Sequence, residues 1–163
     1  MSGPNRAPAC APLTPTVRIQ RGDFSVADEI AVLEAGRGDI GAIATFTGLC
    51  RDEGGRLAAL ELEHYPGMAE AEVARVAAEA ARRWPLAGIT VIHRFGRLAP
   101  GENIVLVATA SAHRGPAFAA AEFLMDYLKT RAPFWKREHL ADGSIGPWVE
   151  ARAEDDAAAE RWV

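Results

Sequence analysis

Residues 89–140, ITVIHRFGRLAPGENIVLVATASAHRGPAFAAAEFLMDYLKTRAPFWKREHL, decide the fold class. Ile89 to Leu98 reads as a strand, Pro100-Gly101 as a turn and Asn103 to Ala112 as a second strand, so the three predict a β-hairpin. Gly115-Pro116 then opens a long helix, since proline in a first turn lacks only an N–H that the helix would leave unpaired. Phe118, Ala121, Leu124, Met125 and Leu128 recur at helical spacing and predict its apolar stripe. Pro133 stops it by pushing the preceding residue out of the helical region. Phe134 to Leu140 resumes as an extended segment, and after a Gly-rich turn Trp148 to Ala151 is its expected hairpin partner.

Upstream the same alternation of element types recurs. Gly41 to Gly48 is β-rich, Arg51 to Arg56 is a turn, and Leu57 to His64 alternates apolar and polar side chains. Together they predict another hairpin. Met68 to Trp84 carries Val73, Val76, Ala77, Ala80 and Trp84 on one helical face, and Pro85 ends it. A helix also starts at Phe24-Ser25, with Ser25 as N-cap, and runs to about Ala35 before Gly36. Val17 to Gln20 reads as a short strand. Residues 1–16 are rich in Pro and Ala without period and are expected to form a disordered extension. The expected domain covers residues 17–154, and residues 155–163 form a frayed tail or short helix. Hairpins separated by two main helices predict a single α+β domain with a mainly antiparallel sheet.

The chain of 163 residues is about half apolar and carries a formal net charge of −4, which argues against bulk nucleic-acid binding through a basic surface. No apolar run reaches the length of a membrane span, and the N-terminus lacks a secretory apolar region, so the cytoplasm is the expected compartment. Cys10 and Cys50 have no metal or redox spacing, and Cys50 reads as a small half-buried side chain. His64, His93, His113 and His139 are scattered, so no bound metal is expected; His64 and His93 read as satisfied core or edge residues. No GxGxxG, P-loop or GxSxG motif occurs.

Cations are more informative. The chain has sixteen arginines but two lysines, Lys129 and Lys136, seven residues apart. An ammonium can lose its proton and act as a base or nucleophile, whereas a guanidinium cannot. This segment therefore marks the place where an amine is chemically required, although a lysine near a helix C-terminus also stabilises the helix dipole. A second candidate is Ser111-Ala-His-Arg-Gly-Pro116, where a strand enters a helix whose free N–H groups favour anions. His113 could act as acid, base or donor there, and Arg114 could grip phosphate or carboxylate; each could equally satisfy backbone or surface partners. A third is Thr45 to Arg51, where Arg51 emerges from a strand end.

The motifs TFTG, LEHYPGM, RWPL, VIHRFG, SAHR and MDYLKTRAPFWKRE occur in order from about residue 17 to residue 152. In this the chain resembles the large, catalytic subunits of molybdopterin synthase. The resemblance implies an α/β hammerhead fold and a homodimer of large subunits within a heterotetramer. Each large subunit would bind a small ubiquitin-like sulfur-carrier subunit ending in a Gly-Gly thiocarboxylate. Sulfur would pass in two transfers to cyclic pyranopterin monophosphate, building the dithiolene of molybdopterin without a metal or cofactor. The resemblance also implies roles. Lys129 would be the principal catalytic amine, polarising or deprotonating during thiocarboxylate attack, and it could form a covalent link to the partner's C-terminus. Lys136 would hold phosphate or stabilise developing charge. Arg51, His113 and Arg114 would bind the pterin phosphate, Arg137 and Glu138 would line the pocket, and Phe46 and Met125 would form its wall or tail channel. Leu49 departs from the polar side chain that would help such a site, Cys50 is not required by the mechanism, and the turn at Arg51–Arg56 is short. A non-catalytic docking module for a Gly-Gly-tailed protein and an unrelated phosphate-ester or pterin-modifying enzyme are the rival readings.

Overall fold

A computed structural model describes residues 12–150 and 160–162. In chain order the elements are β1 (Thr16–Gln20), α1 (Val26–Glu34), β2 (Ala42–Leu49), β3 (Leu57–His64), α2 (Met68–Arg83), β4 (Leu86–Arg94), β5 (Gly96–Leu98), β6 (Asn103–Ser111), α3 (Arg114–Thr130) and β7 (Phe134–Leu140), with a short 3-10 turn at Glu160–Trp162. The α+β class follows the sequence pattern. The strands form two sheets, a four-stranded one in the order β1-β4-β6-β2 and a three-stranded one in the order β5-β3-β7. Among the described residues the β1–β4 pair alone is parallel.

Helices form where the sequence places them. Ser25 caps α1, its hydroxyl accepting from the Asp28 N–H. Helix α2 buries Val73, Val76, Ala77 and Ala80 along one stripe and pairs Glu72 with Arg75 and Glu79 with Arg82 on the outer face. Helix α3 buries Ala121, Leu124, Met125 and Leu128 of the expected stripe together with Ala117, Ala120 and Phe123, whereas Phe118 of that stripe is exposed. The core lies between α2 and α3 on one side and the four-stranded sheet on the other, with Val73, Ile89, Val91, Val107 and Leu124 at its centre.

Of the two expected hairpins, the central one holds, with β4 antiparallel to β6, and the upstream one is overturned. Strands β2 and β3 do not pair; β2 pairs with β6, while β3 pairs with β5 and β7. The cause lies between them. The chain stays with β6 past the end of β2, where Cys50 N–H donates to Glu102 O and Gly101 N–H donates to Cys50 O. It then turns through Glu53, Gly54 and Gly55, all at positive φ, and enters the other sheet. Cys50 is consequently buried rather than half-buried. The expected strand from Ile89 to Leu98 is also split. Phe95 leaves the β4–β6 pair, and Gly96, at φ 94°, redirects the chain into β5 beside β3. A side chain there would meet the Arg21 guanidinium, 2.9 Å from an ideal Cβ.

At the N-terminus residues 1–11 of the expected extension lie outside the described residues, whereas Leu13 packs against the core and β1 begins at Thr16. At the C-terminus residues 151–159 and 163 lie outside them. Trp162 is packed edge-on against Trp84 and Phe123 and donates to Asp126, so this part of the expected tail is docked. The segment after β7 returns antiparallel to it through bridges at Ile145 and Val149, and Ala151 of the expected strand is outside the described residues.

Candidate active site

Lys129 sits in the last turn of α3, and Lys136 is the third residue of β7. Pro133 separates the two elements, so the chain reverses between the lysines. The result is a cavity of about 180 Å³ that both lysines line. Its walls are apolar: Leu60 and Leu62 from β3, Ile104 and Val105 from β6, and Met125 and Leu128 from α3. Phe46 and Leu49 of β2 border it and are exposed at its edge. Trp135 and Glu150 complete the opposite rim, where the Trp135 indole donates to the Glu150 carboxylate at 3.0 Å. Val149 is held over β7 by reciprocal backbone bonds to Lys136, at 3.0 and 2.8 Å.

The other expected site residues are distributed differently. Arg51 lies two residues beyond Leu49, outside the lining; its side chain is 83% exposed and stands 4.0 Å from Glu53. His113 is the N-cap residue of α3 and Arg114 its first residue, both exposed. Fifteen residues of helix separate Arg114 from Lys129, about 22 Å at the α-helical rise, so one chain does not offer both to one small molecule. Arg137 donates to Glu61 at 2.6 Å and lies over the Trp148 ring, and Glu138 is paired with Arg56. Hydrogen bonds from Arg137 and then His139 hold the Glu61 carboxyl below its usual range. Thus the structure brings Lys129, Lys136, Phe46 and Met125 together, and places Arg51, His113, Arg114, Arg137 and Glu138 outside the cavity lining.

His93 is the lining residue that the sequence reading left in the core. It ends a row of alternate β4 residues, Ile89, Val91 and His93, of which the first two are core. A polar side chain closing an apolar row was the available signal. Its Nδ1 lies 2.8 Å from the Arg94 carbonyl oxygen, and its ring stacks on Phe134 at 4.0 Å between centroids. Burial pushes its pKa down to about 4, and the Lys129 charge acts in the same direction, so the imidazole is neutral at physiological pH. His64, expected to be satisfied, has a buried Nδ1 with no hydrogen-bond partner among the described residues; its ring packs on Phe95 at 4.4 Å.

The arrangement offers two amines at the mouth of an apolar cavity with a neutral imidazole beside them. It suits a reaction in which an anionic group must be partly desolvated next to a positive charge. Among the described residues no group of three or more His, Cys, Asp or Glu side chains could hold a metal ion, and no helix is long and apolar enough to cross a membrane.

The family model described as "MoaE protein" matches residues 19–131, more than half of the chain. A "Molybdopterin synthase catalytic subunit" of Mesorhizobium japonicum is 70% identical over 152 residues, spanning 93% of this chain and 96% of the relative. The solved structure of a molybdopterin biosynthesis MoaE protein from Burkholderia ambifaria is 53% identical, covers 91% of this chain and 97% of its own, and superposes with a TM-score of 0.78. A complex of subunits 1 and 2 of molybdopterin-converting factor from Helicobacter pylori contains the same fold at 19% identity, with a TM-score of 0.68 over 84% of this chain and 90% of that one. With its cavity amines carried on that shared fold, the chain belongs to the MoaE family of molybdopterin synthase catalytic subunits.

Proposed function

We propose that the cavity between α3 and β7 is where this family member moves sulfur from the C-terminal thiocarboxylate of a small ubiquitin-like subunit to cyclic pyranopterin monophosphate. The observation that carries the reading is that the chain's two lysines line one apolar-walled cavity. A Gly-Gly tail has no side chains and fits a narrow apolar channel such as that bordered by Phe46, Leu62 and Met125. The thiocarboxylate sulfur attacks a carbon of the substrate and displaces the oxygen bonded there, which leaves as the phosphate oxygen of the opened cyclic ester or, once protonated, as water. The new C–S bond leaves the partner's acyl group attached to sulfur as a thioester. Transfer of that acyl group to water, or to the Lys129 amine, breaks the acyl–sulfur bond and leaves a thiolate on the pterin side chain. Lys129 acts as the amine beside the reacting acyl carbon, and Lys136 stabilises the phosphate or the developing thiolate.

His113 and Arg114 keep their phosphate-binding role in this reading only if a second copy presents its α3 N-terminus to the cavity. The length of α3 thus supports a homodimer within a heterotetramer. Arg51, near the β2 edge of the cavity, would reach the same phosphate, while Arg137 and Glu138 support β7 through their ion pairs. The catalytic domain is residues 17–154 and the compartment is the cytoplasm. The reading is tested by mixing the protein, as wild type and Lys129→Ala, with thiocarboxylated small subunit and cyclic pyranopterin monophosphate. Dithiolene from the wild type alone supports it. Tight partner binding without product from the wild type overturns it in favour of a docking module.

A further inference from the structure

His93 has no part in the chemistry assigned above, although its side chain lines the cavity. Its Nδ1 faces a backbone carbonyl, which can only accept, so Nδ1 carries the ring proton and Nε2 keeps a lone pair. Among the described residues the one sealed, unsatisfied side-chain polar atom is His64 Nδ1, so Nε2 of His93 is not closed off from the cavity. The ring is immobilised from both directions, by the carbonyl on its edge and by Phe134 on its face at an 18° interplanar angle.

The cavity is short of acceptors. Of the lining side chains, only His93 and Glu150 carry a strong one, and the Trp135 indole already occupies a Glu150 oxygen at the rim. Lys129 is solvent-exposed at the mouth. An amine drawn from there toward the apolar interior gives up hydrogen bonds to water and must find a protein acceptor. His93 and Lys129 line the same cavity, and the Lys129 charge is among the causes that lower the His93 pKa.

We infer that His93 is the positioning residue for Lys129, its Nε2 accepting a hydrogen bond from the Lys129 Nζ and drawing the amine from solvent into the cavity. The inference deepens the sulfur-transfer reading and rests on it for its functional consequence. His93 touches no reacting atom; it acts through Lys129. The neutral ring is suited to this, because a protonated imidazole has no lone pair and would repel the ammonium.

Two variants separate the acceptor from the ring. His93→Phe keeps a flat ring against Phe134 and loses the lone pair, whereas His93→Gln loses the ring and places an amide oxygen near the Nε2 position. With two lysines in the chain, acetylation by N-hydroxysuccinimide acetate followed by peptide mass spectrometry reports on the cavity directly. In the full-length protein at pH 7.5, His93→Phe should raise labelling of Lys129 relative to Lys136 about fivefold, the factor one net hydrogen bond is worth. His93→Gln should restore the wild-type ratio. In the reconstituted reaction, kcat for His93→Phe should fall by a similar factor with KM unchanged, and His93→Gln should recover it. An unchanged labelling ratio in a folded His93→Phe protein overturns the inference, as does a rise in KM without loss of kcat, which would place His93 against the substrate. Failure of the wild type to transfer sulfur would instead remove the functional reading, and the labelling ratio would still decide the role of His93.

Discussion

Replacing Lys129 with alanine should separate chemistry from stability. The side chain lies in the last turn of α3 and is exposed, so its removal takes nothing from the packed core. What the folded state loses is the favourable interaction of a cation with the helix C-terminus, about 0.3–1 kcal/mol, and the inferred hydrogen bond to His93, about 1 kcal/mol. For a chain of this size that lowers the melting temperature by at most about 8 °C. The catalytic loss should be of another order. A positioned acid–base group contributes about 10²–10⁴-fold to a rate, and the apolar walls around this amine favour the upper half of that range. Lys129→Arg sharpens the test, since it keeps the positive charge and the helix-dipole interaction but cannot supply a neutral amine. The assay is dithiolene formation from thiocarboxylated small subunit and cyclic pyranopterin monophosphate, with circular dichroism melting in parallel. Turnover by Lys129→Ala within about tenfold of wild type would refute the assignment. Full recovery in Lys129→Arg would refute amine chemistry and leave a requirement for charge alone.

Three further outcomes follow from the geometry. His93 holds its pKa near 4 in the folded chain against 6.5 ordinarily. Between those values the unfolded chain binds a proton that the folded chain refuses, so stability falls as pH drops through this window, by roughly 3 kcal/mol in all; denaturation from pH 7 to 4 should show a shallower pH slope in His93→Gln, and an equal slope would contradict the burial argument. A Cβ at Gly41 would stand 2.2 Å from the Ala112 carbonyl oxygen, so Gly41→Ala should cost about 1–3 kcal/mol in chemical denaturation, and an unchanged midpoint would show that the β2 entry yields freely. Trp162→Ala removes edge-on contacts to Trp84 and Phe123 and the bond to Asp126, and should cost about 1–3 kcal/mol while leaving sulfur transfer intact; loss of activity at full stability would tie the C-terminal turn to the reaction instead.

Local signals carried the elements. Ser25 capped α1, Pro116 opened α3 and Pro133 ended it, because each acts on its own stretch of backbone. The burial of α2 followed from its spacing. On α3 the stripe was misread at Phe118, since a helix rich in alanine leaves its orientation to whatever surrounds it. The two lysines stood out by composition, and their convergence followed from the reversal at Pro133, a local event as well.

Strand partners were another matter. Adjacent strands with a short turn between them suggested hairpins; β4 and β6 pair so, yet β2 and β3 went to different sheets, and the strand expected from Ile89 to Leu98 is split at Gly96. Pairing depends on which edge is free when the sheets assemble, and no spacing within one strand records that. Among the candidate site residues, the same long-range assembly decided the outcome. It set His93 in the wall of the cavity that Lys129 lines by stacking it on Phe134, forty-one positions away in the chain, and it left His113 and Arg114 at the far end of α3. The sequence by itself determined where the helices begin and end, where most strands lie and which amines are scarce, because those depend on neighbours along the chain. The tertiary structure alone decided which strands pair and which side chains share the cavity, because those depend on packing between residues that only folding brings into contact.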